Sequence, residues 1–278
     1  MQGHFTHCAA LVREADRDRY LATLFAPAEH RDALFALYAF DVEISRVRDL
    51  AREPMPGEIR LQWWREVLLG ERAGEAAANP VAAALLQVLS RYRLAPNRLA
   101  EVVEAHRFDI YDEPMASRAA LQSYAAKTAG VIFDSAARIL GAATNLSEEA
   151  GQAQTLARVV TLLPRHTARR QLFVPLEVLG QYGAKPDDIF AMNPTSELRA
   201  ALAELRLRAR RHLARIGAAK AEIPALVWPI FLSLAPLRSV LLAMERDGYN
   251  PFSPPHVGLW RRQWQIWRGS RNPRRIFG

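Results

Sequence analysis

The chain has 278 residues, half of them hydrophobic, and a formal charge of +8 carried almost wholly by arginine, since lysine appears only at Lys127, Lys185 and Lys220. That length and apolar fraction fit one globular domain with a sizeable core, and the single cysteine, Cys8, excludes a disulfide framework or a cysteine-based metal cluster within one chain. The positive charge suits an acidic partner, either phosphate-bearing or an anionic membrane surface, although solvated helix faces account for the bulk of it.

In chain order, Met1 to Arg13 holds His4, His7 and Arg13 but no apolar core of signal-peptide length, which predicts a cytoplasmic or otherwise reducing compartment. Alternating β-branched runs closed by Asn-Gly or Gly-Gly turns are missing, while Ala, Leu, Arg and Glu dominate and apolar residues recur at three and four. The predicted fold class is therefore all-α, with breaks such as Phe25-Ala26-Pro27, Glu53 to Gly57, Asn79-Pro80, Asp112-Glu113-Pro114 and Asn193-Pro194-Thr195 dividing the chain into about eight to ten helices. Thr144 to Glu148 and Thr195-Ser196-Glu197 read as helix caps. The expected organisation is a helical domain over residues 1–255 followed by a basic Trp/Arg-rich tail over 256–278.

Leu34 to Asp49, LFALYAFDVEISRVRD, places Asp41, Glu43 and Asp49 on a helix, with Ser45 and Asp49 one turn apart on one face. Two carboxylates at that spacing can hold Mg²⁺ against a diphosphate, because a hard cation takes several oxygen ligands and the substrate supplies the rest. Here only one of the two is acidic, and Arg46 and Arg48 stand beside them, so a salt-bridged helix face is the favoured reading. Trp63 and Trp64 read as core and rim packing rather than a cation-stabilising box. Between Ala150 and Leu176 there is no Asp or Glu; instead LLPRHTARRQLFVP puts Pro164 inside a helical pattern, which predicts a break near Leu163. The Arg165, His166, Arg169 and Arg170 cluster beyond that break can hold a phosphate directly through guanidinium forks, or else pair with acids elsewhere, Asp109 or Asp49 among them.

Ile223 to Leu237 is the most apolar stretch, too short for a bilayer span and interrupted by Pro224, Pro229 and Pro236, and reads as a buried core helix. In the tail, Trp260, Trp264 and Trp267 recur at helical spacing on one face, with Arg261, Arg262 and Arg268 around them and Arg271, Arg274 and Arg275 beyond. They suit contact with an anionic membrane, or else cover the domain's own cavity; nucleic acid is disfavoured because no binding motif accompanies them. The histidines are scattered without zinc-site spacing.

Taken together, LFALYAFDVEISRVRD followed by LQWWREVL, then HRFDIYDEP with Tyr124 and Thr128-Ala129-Gly130, then RRQLFVPLEVL, resemble the motifs of the squalene/phytoene synthase superfamily over about Arg17 to Phe252. The resemblance implies an isoprenoid (terpene) synthase-type helical bundle around a central cavity. Laid on the family's two aspartate-rich helices, the first pair falls at Ser45 and Asp49 and the second at Leu162 and His166, so three of the four aspartates are replaced; Asp109 stands where the family places one. The wording around Pro164 and His166, with F-x-V-E-[IL]-x-x-V-[RK]-D in the first motif, looks like the branch of the mitochondrial complex I assembly factor and its alphaproteobacterial relatives. That branch implies a non-catalytic protein with an isoprenoid or lipid pocket, acting with respiratory-complex subunits at the inner membrane. Two alternatives stand beside it: a prenyl-diphosphate transferase in which Asp41, Glu43, Asp49 and Asp109 gather one Mg²⁺, and a peripheral anionic-lipid-binding module.

Overall fold

A computed structural model describes residues 2–50, 53–253, 255 and 257–272 of the chain, and every regular element among them is helical. In chain order the α-helices are α1 (Gln2–Ala15), α2 (Arg17–Thr23), α3 (Ala28–Ser45), α4 (Val47–Leu50), α5 (Pro54–Leu68), α6 (Ala73–Ala76), α7 (Pro80–Tyr92), α8 (Pro96–Ala105), α9 (Arg118–Ala125), α10 (Val131–Ile139), α11 (Ser147–Thr161), α12 (Leu163–Ala168), α13 (Leu176–Tyr182), α14 (Pro186–Phe190), α15 (Ser196–Ala218), α16 (Trp228–Leu232), α17 (Leu237–Ala243) and α18 (Leu259–Arg271). A 3₁₀ turn spans His106–Ile110 and a π turn spans Ala126–Gly130. The all-α expectation holds, but the described helices are more numerous than eight to ten, because single non-helical residues split several of the expected ones.

Two helices form the axis of the bundle, buried along most of their length. Leu34, Leu37, Phe40 and Ile44 of α3 are fully covered, as are Ala150, Ala153, Ala157 and Val160 of α11. Helices α1, α7 and α10 pack on α3, while α10 and α15 pack on α11. Gly151 explains how closely α11 approaches its neighbour: a Cβ there would lie 2.5 Å from the backbone nitrogen of Gly130. The π turn therefore runs in backbone contact with α11, and it brings the segment carrying Tyr124 and Thr128 against the one carrying Thr155 and Arg158.

Several local expectations are met. Pro164 occupies the first turn of α12, and the chain breaks at Leu162, which ends α11 and opens α12. Thr195 caps α15 by accepting from the Leu198 amide at 3.2 Å. Trp64 is fully buried with its ring 5.2 Å from Phe40, whereas Trp63 sits at the rim and donates to Glu75 at 3.0 Å.

Others are corrected. Leu34 to Asp49 is not one helix: α3 stops at Ser45, whose hydroxyl turns back to the Val42 carbonyl at 3.2 Å, and Arg46 leaves helical geometry before α4 begins. Asp49 is thus not one helical turn above Ser45. Thr144 does not cap α11; Leu146 holds that position without a side-chain cap. The stretch Ile223 to Leu237 is largely buried but is not a single helix, since Pro224, Pro229 and Pro236 leave only α16 and turns before α17. The described part of the basic tail, residues 259–271, is helix α18, and it packs on the domain. Ile266 is buried, the Trp228 indole donates to the Gly269 carbonyl at 3.4 Å, Ser239 donates to Gln265 at 3.0 Å, and Arg262 reaches Asp18 on α2. No helix among the described residues is long and apolar enough to cross a membrane.

Candidate functional site

The polar ends of the two axial helices face a cavity of about 330 Å³. Asp41 and Ser45 line it from α3 with Arg46 just beyond, Thr155, Arg158 and Val159 from α11, and Arg165 and His166 from α12 with Arg169 just beyond. Glu14, Asp16, Arg48, His106, Asp109, Tyr124, Thr128, Gln171 and Phe173 complete most of its wall.

Asp41 is buried, and so is its partner: Arg19, 2 % exposed, donates to it at 2.6 Å and to Gln154 at 3.2 Å while lying 4.7 Å above the Tyr38 ring. Burial alone would raise the Asp41 carboxyl, but the guanidinium groups of Arg19 and then Arg158 overcome it and hold the group below its ordinary value. Asp109 accepts from the Tyr124 hydroxyl at 2.9 and 3.0 Å and lies 2.7 Å from His106 Nδ1. Burial, with the Asp109 charge next, pushes the Tyr124 phenol well above its usual value, so it stays a donor. Gln171 fixes the same corner by donating to the Asp109 carbonyl at 2.6 Å.

Asp49 lies between Arg165 and Arg169 and pairs with both. Glu43 does not line the cavity; it pairs with Arg60 at 3.3 Å. The structure therefore does not gather Asp41, Glu43, Asp49 and Asp109 into one metal site. Each is answered by a cation or a hydroxyl, and among the described residues no three His, Cys, Asp or Glu side chains form a group able to hold a metal ion. A magnesium–diphosphate cluster, which needs several uncommitted carboxylate oxygens, does not fit this cavity.

The opposite wall is basic. Arg165 and Arg169 enter the cavity as expected, joined by Arg158, Arg46 and Arg48. Burial, then the nearby guanidinium groups of Arg46 and Arg158, press Arg165 below its ordinary value; burial and Arg48 do the same to Arg169. One carboxylate shared between two guanidiniums, as Asp49 is, leaves this cluster with surplus positive charge. His166 joins it as a neutral ring: burial lowers it to about 4, it packs 4.6 Å from the Phe173 ring, and its Nδ1 is buried without a hydrogen-bond partner. Arg170 is not part of the cluster. Its backbone is left-handed, at φ 57°, which turns the side chain away over the Phe190 ring at 5.3 Å.

Sequence reasoning names Asp109 but misses Arg19, Arg158, and the Tyr124 and His106 that hold Asp109 in its corner. Arg158 was detectable as a further arginine in the same acid-free stretch, seven residues before Arg165. Nothing local marked Arg19, whose partner Asp41 lies 22 residues away.

Away from the cavity, α18 carries two stripes. Arg262, Ile266 and Gly269 face the domain, whereas Trp260, Trp264 and Trp267 are 74, 47 and 49 % exposed. Arg268 lies 5.2 Å from the centre of the Trp264 ring and Arg271 5.6 Å from that of Trp267, while Arg261 is exposed. None of the indoles lines the cavity. Of the expected membrane contacts, Arg262 is withdrawn into an ion pair with Asp18; Arg274 and Arg275 lie outside the described residues.

The family model for squalene/phytoene synthase matches residues 12–268. Among curated proteins, the chain is 27% identical to the mouse NADH dehydrogenase (ubiquinone) complex I, assembly factor 6, over 91% of this chain and 77% of that one, and 24% identical to tomato (Solanum lycopersicum) chloroplastic phytoene synthase 2, over 90% and 84%. Among solved structures, a dehydrosqualene synthase with bound ligand shares the fold with a TM-score of 0.82 at 17% identity, covering 96% of this chain and 95% of that one. The squalene synthase HpnC from Alicyclobacillus acidocaldarius does so with a TM-score of 0.75 at 24% identity, covering 90% and 96%. With the model spanning nearly the whole chain and the all-helical fold shared with solved synthases, this protein belongs to the squalene/phytoene synthase family.

Proposed function

We propose that this chain serves in the assembly of NADH dehydrogenase (complex I) and that its cavity binds a ligand without carrying out magnesium-assisted condensation. The observation that carries the reading is the state of the carboxylates in and beside the cavity: Asp41 and Asp109 in its wall are tied to Arg19 and to Tyr124 and His106, and Asp49, behind the wall, to the lining residues Arg165 and Arg169. Ionising an allylic diphosphate requires the leaving group's charge to be neutralised, and carboxylates already paired with guanidiniums do not recruit the metal that does it. The likeness to complex I assembly factor 6 supports the assembly role, and respiratory-complex subunits at the inner membrane are the partners this reading proposes.

Two measurements test the reading. Purified protein with Mg²⁺ and labelled farnesyl diphosphate is expected to release no pyrophosphate above a protein-free control; release would instead support a prenyl-diphosphate transferase with a reduced metal site. Deleting the gene in its own host is expected to lower assembled complex I and NADH-dependent respiration, and unchanged assembly would remove the proposed role.

A second reading, a peripheral anionic-lipid-binding role, is favoured by the exposed Trp260, Trp264 and Trp267 with stacked Arg268 and Arg271 on α18. Indoles with flanking guanidiniums suit the interface of a charged bilayer. Flotation with vesicles containing phosphatidylglycerol, compared with neutral vesicles, tests it.

A further inference from the structure

The basic wall of the cavity has a feature that metal-dependent chemistry does not explain. Arg165 on α12 and Arg169, the residue that follows the helix, converge on a single carboxylate, Asp49, which comes from a different part of the chain 116 residues from Arg165. A pair of guanidinium groups aimed at one point is the arrangement that grips a compact oxyanion, because each planar fork offers parallel N–H donors. The charge around that point is not balanced. Arg46, Arg48 and Arg158 line the same cavity; Arg48 is paired with Asp112 at 2.8 Å, but no carboxylate lies within ion-pair distance of Arg46 among the described residues. Arg158 has only a long contact, 3.8 Å, with Asp16.

We propose that this wall is a metal-free site for a phosphate-class anion, and that Asp49 is its internal counter-ion, holding the place between Arg165 and Arg169 that the anion takes on binding. Three further observations fit. Asp49 belongs to α4, a four-residue turn separated from α3 by the break at Arg46, so its displacement disturbs little regular structure. His166, on the cavity wall between the two arginines in sequence, brings a buried ring nitrogen without a partner, and orphaned buried polar atoms are uncommon in folded proteins. The volume, about 330 Å³, exceeds what a phosphate group fills and falls in the range of small-ligand pockets. The ligand class is therefore a phosphate or diphosphate, free or as the head of a lipid whose tail extends beyond it.

The inference rests on the proposed reading of the cavity as one that binds without magnesium, and it makes a prediction of opposite sign to the metal-site reading. If Asp49 held a magnesium ion, its removal would weaken diphosphate binding. If Asp49 competes with the anion, its removal strengthens binding.

The experiment is calorimetric titration of the full chain with inorganic pyrophosphate and, separately, with unreactive farnesyl thiodiphosphate, both in EDTA. The wild type is expected to bind in EDTA. Asp49→Asn is expected to bind about tenfold more tightly, equivalent to losing one competing charged contact, and Arg165→Gln or Arg169→Gln at least about tenfold more weakly. Thermal melts report whether each variant is folded. Arg46→Gln, which breaks no ion pair among the described residues, is the second variant, expected to weaken binding several-fold at an unchanged melting temperature. Tighter binding of the thiodiphosphate than of pyrophosphate identifies a lipid head as the source, and equal binding identifies the free anion; either supports the site. Binding only with Mg²⁺, weaker binding by Asp49→Asn, or no binding by any form overturns it. Pyrophosphate release from the reactive diphosphate would sink the non-catalytic reading, whereas Mg²⁺-dependent binding without release would sink only the anion site.

Discussion

The cavity wall and α18 are both rich in arginine, and the two obey different physics. In the cavity, guanidinium groups crowd one another at a partly covered wall, and partial burial with their mutual repulsion presses Arg165 and Arg169 below their ordinary values while they share one carboxylate. On α18, Arg268 and Arg271 lie against exposed indole rings, and only Arg262 turns inward, to Asp18. The difference lies in solvation: a charge that keeps its water costs almost nothing to hold and contributes little to stability, whereas a charge stripped of water must find a partner or destabilise the fold.

The comparison breaks first, and with the largest effect, at Arg19. Arg19→Met removes the partner of Asp41 and leaves a buried carboxylate without its ion pair, which is expected to cost about 3–5 kcal/mol. Thermal unfolding should show the midpoint falling by roughly 10 °C. The double variant Arg19→Met, Asp41→Leu should recover much of that loss, because removing both members of a buried pair is far less costly than removing one. If the single variant melts with the wild type, the pair does not have the buried character described above.

His166 gives the next effect, and it depends on pH. Its folded value is lowered by burial to about 4 from an ordinary 6.5. In that interval the unfolded chain binds a proton that the folded chain refuses, so the stability present above pH 6.5 is lost as pH falls toward 4, by up to roughly 3 kcal/mol. Urea unfolding at pH 7.5 and 4.5 should show a wild-type decline that His166→Phe, which keeps the ring packing on Phe173, does not share in full. Equal declines would mean that the imidazole is protonated in the fold.

What could be read from the sequence, and what could not, follows the same line between local and distant contacts. The all-α class, the break at Pro164, the Thr195 cap, the acid-free stretch from Ala150 to Leu176 and the roles of Trp63 and Trp64 depend on neighbours along the chain. They were legible because helix periodicity and capping are short-range effects. The split between Ser45 and Asp49 was not, since a single back-bonded serine ends α3 where the pattern runs on. The partners of the buried charges lay further out of reach: Asp49 meets Arg165 across 116 residues and Asp18 meets Arg262 across 244. Arg170 was misassigned to the cluster because spacing does not reveal a left-handed backbone residue.

Arg262 sits at the boundary between the two regimes and should show an intermediate cost. It is about one-third exposed, but Asp18 beneath it is largely covered, and burial raises that carboxyl despite the neighbouring guanidinium. Arg262→Gln is expected to lose about 1–2 kcal/mol at pH 7 and to speed amide exchange in α18. Because the raised Asp18 value means protonation relieves the burial, the deficit of the variant should shrink as pH falls toward the carboxylate range. A deficit independent of pH would place the effect in lost packing of the arginine stem instead.

The smallest effect on stability, and the sharpest separation of the two regions, belongs to the exposed face of α18. Trp264→Ala removes an indole that is 47 % exposed and stacked only by Arg268, so unfolding should change by no more than about 0.5 kcal/mol. If that face meets an anionic bilayer, the same substitution should release the protein from phosphatidylglycerol vesicles several-fold, because interfacial indoles contribute buried area that arginine alone does not. Arg268→Gln should act mainly at low salt, where the screening length is long, and the double variant should abolish flotation while pyrophosphate binding in the cavity stays unchanged. A loss of vesicle binding with an intact melting curve would assign the two arginine clusters to two different anions, one taken from the bilayer surface and one held within the bundle.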